Sequence, residues 1–256
     1  MSELLLLCAG LIAGALNTLA GGGSFVVFPA LLAVGVPPVI ANASNTYAAL
    51  PGYASGALGL WTHLRAYKHR LLPYSIVALV FGAIGAELLL HVSNDTFSAI
   101  VPWLMGFATL LFAYGGAINR FVVQRAGGMR GARLTGTILV LALLAGLSVY
   151  GGFFNAGFGI LLLAFVAVAG MSDIHAMNGM KLWISMVVAI VAVLRFALSG
   201  SINWYFGSIA LVGVTVGAYV AARLAHRIPT HLIRRLVIVY SAGLTAWFFW
   251  TVYGPK

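Results

Sequence analysis

The sequence predicts an all-α integral membrane protein made of two inverted repeats, each a broken, re-entrant helix hairpin followed by three transmembrane helices. Three observations predict this. The composition is 62% hydrophobic and 7% charged, the chain reads as a series of apolar runs, and two glycine-rich breaks occupy corresponding points of its two halves. A soluble domain carries roughly 25% charged residues, and the mean hydropathy here is +1.05.

The first long apolar stretch, Leu4–Val36, is interrupted by Asn17-Thr18-Leu19-Ala20-Gly21-Gly22-Gly23-Ser24. Apolar runs Val39–Thr62, Leu71–Val92 and Phe97–Ala117 follow, each close to the ~20 residues a bilayer core requires. The second half repeats this order. A long stretch, Leu134–Met171, is broken at Gly151-Gly152-Phe153-Phe154-Asn155-Ala156-Gly157-Phe158-Gly159, and runs His175–Leu198, Trp204–Leu224 and Leu232–Val252 come after it. Little polar sequence is left between spans, so no soluble domain is expected. The expected organisation is an N-terminal repeat (1–118), a basic cytoplasmic linker (119–133) and a C-terminal repeat (134–256).

Sliding the chain by about 136 residues pairs Gly10 with Gly146, Gly21 with Gly157, Gly23 with Gly159 and Asn42 with Asn178. Further on the offset slips to about 132 and pairs Gly85-Ala86 with Gly217-Ala218. Charge then sets the topology. Arg65, Lys68 and Arg70 form one basic group, Arg120, Arg125, Arg130 and Arg133 a second, and Arg223, Arg227, Arg234 and Arg235 a third. Placing all three in the cytoplasm forces Leu134–Met171 to begin and end on that side, which a hairpin achieves and a single crossing does not. By symmetry, Leu4–Val36 enters and leaves from outside, with Ser24–Gly35 as its return arm. One hairpin plus three spans gives each half an odd number of crossings, hence opposite orientation. A parallel pair of halves is the alternative, and it would put one basic group outside.

Most of the Lys and Arg behind the net charge of +10 fall in these groups, so a nucleic-acid face is not expected. Cys8 is the only cysteine, which excludes an intrachain disulfide and a cysteine-based metal site. Met1–Ala20 superficially resembles a signal peptide, but its start carries Glu3 and no Lys or Arg; it is expected to be retained.

Unwound backbone in lipid is tolerated where protein buries it or where it lines a cavity, and paired breaks in two halves point to a transporter's binding site. The return arms begin just after the glycines. Their N-termini present unpaired N–H groups and a partial positive charge, and two of them converging suit an anion. Gly21, Gly22, Gly23, Gly157 and Gly159 let backbone approach a ligand, while Asn17, Thr18, Ser24 and Asn155 add side-chain hydrogen bonds. The competing reading is that glycines only permit close helix packing; isolated ones such as Gly10 and Gly82 are expected to do that.

The next spans add Asn42, Asn45 and Thr46 in the first half and Asn178 and Lys181 in the second. Asn42 and Asn45 share a helix face, as do Asn178 and Lys181. Lys181 is the counterpart of Asn45, roughly 9 Å into its span. An intramembrane lysine is a functional hypothesis by default; its alternative is snorkelling to the interface. Glu87 is a weak candidate for proton coupling and otherwise an interfacial acid or a partner for Arg195. Asp173 and His175 are expected to cap the following helix. His63, His69, His226 and His231 read as solvated, and His91 has no spaced partner, so no metal site and no cofactor are expected. The six tryptophans mostly occupy span ends, as in aromatic belts.

Several segments together resemble a known family. They are Asn17-Thr18-Leu19-Ala20-Gly21-Gly22-Gly23-Ser24-Phe25, Pro29-Ala30-Leu31-Leu32, Ala41-Asn42-Ala43-Ser44-Asn45-Thr46, Pro51-Gly52, and Ser55-Gly56-Ala57-Leu58-Gly59. In the second half, Tyr150 through Gly159, Asn178-Gly179-Met180-Lys181, and Gly217 through Ala225 continue the match. Over essentially the whole chain this is similar to the sulfite exporter TauE/SafE family, a group of toluene-sulfonate-uptake-type permeases. The resemblance implies a multi-pass protein of the bacterial inner membrane moving sulfite, thiosulfate or organosulfonates such as sulfoacetate. One departure is Phe158, where many relatives carry a small residue; it is expected to narrow the pocket.

The expected function is therefore secondary transport of a small sulfur-containing anion by alternating access, with the anion held at midplane by the half-helix N-termini. Its partners would be the anionic substrate and the lipid bilayer, with protons as a possible coupling ion. A passive anion channel of the same fold is the alternative. A membrane enzyme is disfavoured, because few acids or histidines lie within the spans.

Overall fold

A computed structural model describes residues 1–19, 22–126, 133–224 and 230–254 of the chain. Gly21 and the central part of the expected linker, 127–132, lie outside the described residues. The described residues are helical throughout, with no strand.

Helix α1 (Ser2–Leu19) ends at the first break, and the short α2 (Ser24–Ala33) follows it. Helix α3 (Pro38–Gly59) starts with Pro38 in its first turn, where a missing N–H costs nothing. A short α4 (Trp61–Leu64) and a 3₁₀ turn (Arg65–Tyr67) lead into α5 (Lys68–Leu90) and α6 (Asn94–Ala126). The second half runs α7 (Arg133–Phe153), α8 (Phe158–Val168), α9 (Ile174–Leu198), α10 (Trp204–Leu224) and α11 (Thr230–Tyr253).

Residues 119–126 of the expected linker continue α6, since no Gly or Pro interrupts them before Gly127, and residues 63–70 form helical turns.

Among the described residues, four segments are long and apolar enough to cross a membrane, at Trp61–Leu90, Ile174–Leu198, Trp204–Ala221 and Arg235–Tyr253. The 22-residue α3 is too polar to belong with them. Its Asn42, Ser44, Asn45 and Thr46 are all buried, so it runs through protein rather than against lipid. The outer surface is correspondingly apolar: Leu72, Ile76 and Leu79 on α5 and Leu236, Val239, Trp247 and Trp250 on α11 are all exposed. Such a continuous apolar exterior marks a lipid-facing surface. Trp183 departs from the belt pattern, its indole donating to the Ser75 hydroxyl at 2.8 Å between α9 and α5.

Helix pairing crosses between the halves. The long arm α1 packs on α10, the long arm α7 packs on α5, and α3 packs on α9. The first two pairs share one contact pattern. A Cβ at Gly14 would strike the Val214 carbonyl and lie 2.7 Å from the Ala218 nitrogen; a Cβ at Gly152 would strike the Gly82 carbonyl and lie 3.0 Å from the Ala86 nitrogen. In return, Gly217 faces the Leu11 carbonyl and Gly85 faces the Val149 carbonyl. Backbones meet this closely only where small residues remove side-chain bulk. Gly10 and Gly82 are packing glycines, as expected. Gly146 is not, since nothing lies within 4 Å of its Cβ position.

Both short helices end alike. In α2, Gly35 adopts φ +85°, with Gly35 N–H on Leu32 O at 2.9 Å and Val36 N–H on Leu31 O at 3.1 Å. In α8, Gly170 adopts φ +81°, with Gly170 N–H on Ala167 O at 2.9 Å and Met171 N–H on Val166 O at 3.0 Å. Both are Schellman closures, which satisfy the last carbonyls.

Candidate functional site

The N-termini of the short helices are left open. Neither α2 nor α8 has a side-chain cap, their N-cap positions being Gly23 and Gly157. By contrast α9 is capped: the Asp173 carboxylate accepts the His175 N–H at 3.0 Å. The His175 N–H chiefly, then the Ala176 N–H and the nearby imidazoles of His63 and His175, hold the Asp173 carboxyl below its ordinary pKa.

The two breaks come together around one small cavity. Asn17, Gly22 and Ser24 line it from the first, Asn155, Gly157 and Gly159 from the second, and Lys181 and Ser185 from α9. Its volume is about 20 Å³, room for roughly one water molecule. Gly157 carries φ +75°, and its Cβ would lie 2.9 Å from that of Ala108. Gly23 is in ordinary helical geometry (φ −59°), but a Cβ there would lie 2.6 Å from the Ala13 carbonyl. One glycine serves backbone conformation, the other close approach.

A neighbouring space of about 10 Å³ is lined by Asn17, Gly23, Ser24 and Asn45. Beyond both lies a wide vestibule of about 820 Å³, whose wall includes Asn17, Thr18, Ser55, His175, Asn178 and Lys181. Lys181 belongs to both the tight cavity and the vestibule. It forms no hydrogen bond or ion pair among the described residues. The whole chain has four acidic residues, Glu3, Glu87, Asp95 and Asp173, and none lines the cavity or the vestibule.

Asn155 is 5% exposed; its Oδ1 accepts the Tyr53 hydroxyl at 3.2 Å, and its Nδ2 has no partner. Asn42 and Thr46 are not on the cavity wall. Asn42 Nδ2 donates to the Phe153 carbonyl at 2.9 Å, behind the second break, and the Thr46 hydroxyl donates to the Asn42 carbonyl at 3.1 Å. Asn178 turns one donor back onto the Ile174 carbonyl at 3.0 Å, and Thr18 does the same onto Gly14 at 3.0 Å.

Glu87 lies away from these spaces. It is held by Arg195, whose Nε lies 2.9 Å from Oε2 and whose Nη2 contacts the same oxygen. Phe158 does not narrow the cavity: it is 1% exposed and packs its ring against Gly151 of α7. His63 is not simply solvated, since its Nδ1 lies 3.5 Å from the Asp173 carboxylate and its ring lies over His175 at 4.9 Å. No cluster of His, Cys, Asp and Glu suited to a metal occurs among the described residues.

Sequence reasoning missed Tyr53. It lines the cavity from α3, it bonds Asn155 of the second break, and the Ser24 side chain of the first break interacts with the same hydroxyl. Its only sequence signal was its place between Pro51-Gly52 and Ser55-Gly56 on the polar helix.

The profile described as sulfite exporter TauE/SafE matches residues 6–248. The chain belongs to the sulfite exporter TauE/SafE family. Family relatives include a probable membrane transporter protein of Haemophilus influenzae, 28% identical over 244 residues that cover 94% of this chain and 92% of the relative. Another, probable membrane transporter protein YfcA of Escherichia coli K12, is 29% identical over 250 residues, covering 96% and 89%. Probable membrane transporter protein ORF9 of Sinorhizobium sp is 28% identical over 240 residues, covering 93% and 89%. No solved structure matches the chain. As a TauE/SafE member it is a multi-pass membrane transporter.

Proposed function

We propose that this TauE/SafE protein is a secondary transporter of small sulfur-containing anions (sulfite, thiosulfate or organosulfonates) in the bacterial inner membrane. One observation carries the reading. Where the two uncapped helix N-termini meet, the cavity holds a lysine with no acid to pair with and a buried amide nitrogen with no acceptor. Donors without acceptors attract an anion. In lipid, where an uncompensated charge is costly, Lys181 is best explained by a negative charge that arrives with the substrate. The ligand set would be Asn17, Gly22, Ser24, Asn155, Gly157, Gly159 and Lys181, with Asn42, Asn45 and Thr46 supporting the turns and Thr18 and Asn178 lining the approach.

The matched contacts of α1 with α10 and of α7 with α5 support the duplication, with Gly14 equivalent to Gly152 (an offset of 138) and Gly85 to Gly217 (an offset of 132). Residues 1–118 and 134–256 would then be two inverted repeats, joined at 119–133, that rock against each other. With the basic groups in the cytoplasm, the vestibule beside Gly59, Leu60 and His175 opens inward. A tight cavity at its inner end supports alternating access over a passive pore.

Uptake into proteoliposomes from a panel of sulfite, sulfate, thiosulfate, sulfoacetate and acetate tests this. Wild type should accumulate one or more of the sulfur anions, and Lys181→Met should lose at least tenfold in kcat/KM while folding normally. Unimpaired transport by Lys181→Met would remove the lysine from the site. Transport of none of the panel would refute the anion reading.

A further inference from the structure

The break between α7 and α8 is made of peptide units, and peptide carbonyls repel anions as strongly as N–H groups attract them. A turn that is to hold an anion therefore has to do something with its acceptors. Five acceptors of this turn are occupied by donors from the protein itself. Asn42 Nδ2 takes the Phe153 carbonyl at 2.9 Å, Phe158 N–H the Asn155 backbone carbonyl at 3.3 Å, and Ile160 N–H the Gly157 carbonyl at 3.0 Å. The remaining two are taken by tyrosines: the Tyr150 hydroxyl donates to the Ala156 carbonyl at 2.7 Å, and the Tyr53 hydroxyl to Asn155 Oδ1 at 3.2 Å. Of the residues of this turn that line the cavity, Asn155, Gly157 and Gly159, the side-chain group left without a partner is a donor, Asn155 Nδ2.

The Tyr53 contact matters most. A carboxamide offers an acceptor face and a donor face of nearly the same shape, so an asparagine alone does not distinguish an anion from a cation or a polar neutral solute. A fixed O–H on the amide oxygen removes that ambivalence and leaves the NH₂ group as the one without a partner. We infer that Tyr53 and Tyr150 are the selectivity residues of this site. They act by occupying two acceptors of the second break, Asn155 Oδ1 and the Ala156 carbonyl, so that the free amide donor of Asn155 is the group offered to the substrate. Both are positioning residues, Tyr53 through Asn155 and Tyr150 through the Ala156 carbonyl. The inference rests on the anion-site reading above, and it adds what makes the site refuse other solutes.

The test is proteoliposome uptake of radiolabelled sulfite, with thiosulfate and sulfoacetate run in parallel, by wild type, Tyr53→Phe, Asn155→Leu, the double variant and Tyr150→Phe. Tyr53→Phe keeps the ring and removes the O–H. It should raise KM for the transported anion about tenfold and leave kcat within about twofold. Asn155→Leu should do the same, and the double variant should be no worse than either single one, because both act on one donor. Tyr150→Phe should raise KM independently, and additively with Tyr53→Phe. Thermal unfolding and size-exclusion profiles of the purified variants establish folding. If Tyr53→Phe is lost in folding, the Tyr150→Phe result decides alone. Wild-type KM in the folded tyrosine variants would overturn the inference while wild-type uptake stands. Additive losses in the Tyr53→Phe, Asn155→Leu pair would overturn the role of Tyr53 through Asn155. Absence of uptake by wild type would overturn the anion reading and this inference together.

Discussion

Phe28 of α2 meets Phe154 of the second break edge to face, with ring centroids 5.9 Å apart. Residues 126 positions apart along the chain, one in α2 and one in the second break, therefore share an aromatic contact. Phe97 of α6 joins it, its ring 6.4 Å from Phe28 and 6.4 Å from Phe154. All three rings are essentially inaccessible. None of the three lines the cavity; the cluster packs α2 and α6 against the second break.

Phe154→Ala should therefore destabilise the protein by about 3 kcal/mol, the low end for this substitution, because the unfolded reference state is partly in lipid rather than in water. Phe154→Leu should cost less than half of that. Thermal or denaturant unfolding in detergent measures both. A Phe154→Ala protein as stable as wild type would show that the breaks are held together by other means.

A glycine pair on one helix tests the close packing of α7 on α5. Gly152→Ala drives a methyl group into the Gly82 carbonyl, backbone against backbone, and should cost about 1–3 kcal/mol as overpacking. Gly146→Ala, six positions earlier, meets nothing within 4 Å, and should stabilise α7 by about 0.5–1 kcal/mol through helix propensity. Opposite signs at two glycines of one helix are the expected outcome, measured by unfolding midpoint. Equal effects would mean that propensity rather than packing governs both.

That contrast also marks the limit of what was legible in the sequence. The breaks and the short helices that follow them were legible in composition and spacing, since polar glycine-rich sequence in an apolar chain has few other uses. The packing role of each glycine was not: counting identities paired Gly10 with Gly146, whereas the glycines that make matching backbone contacts are Gly14 and Gly152. Identity cannot separate a glycine that faces lipid from one that faces backbone. Tyr53 was invisible for a similar reason. A tyrosine on a membrane helix has many roles, and only the fold brings its hydroxyl to an asparagine 102 positions away. Asn42 was assigned to the substrate on the strength of its type, yet its amide serves the Phe153 carbonyl.

Acid should weaken the start of α9. The Asp173 carboxyl is held below its ordinary value, first by the His175 N–H, so the folded state binds its proton less readily than the unfolded chain does. Its stabilising contribution is complete above the unfolded value of about 4 and is lost as pH falls through the lower folded value. Asp173→Ala should lower the unfolding temperature at neutral pH and flatten its decline below about pH 4. Asp173→Asn should retain part of the cap and show the same flattened acid limb. An unchanged acid limb in both variants would place the acid sensitivity elsewhere.

The fate of Glu87 separates coupling from architecture. Its carboxylate joins α5 to Arg195 of α9, with His91 Nδ1 3.7 Å from its other oxygen, and both ion-pair partners are about 40% exposed. A pair this open contributes about 0–1 kcal/mol, and neither residue lines the cavity or the vestibule. Glu87→Gln should therefore fold, lose little stability and keep accumulating substrate when a proton gradient is imposed on proteoliposomes. Its initial rate should lie within about twofold of wild type, since a neutral amide still hydrogen-bonds Arg195. Accumulation that collapses to simple equilibration in Glu87→Gln, with exchange intact, would instead make Glu87 the proton carrier, and Arg195 the residue that controls its release.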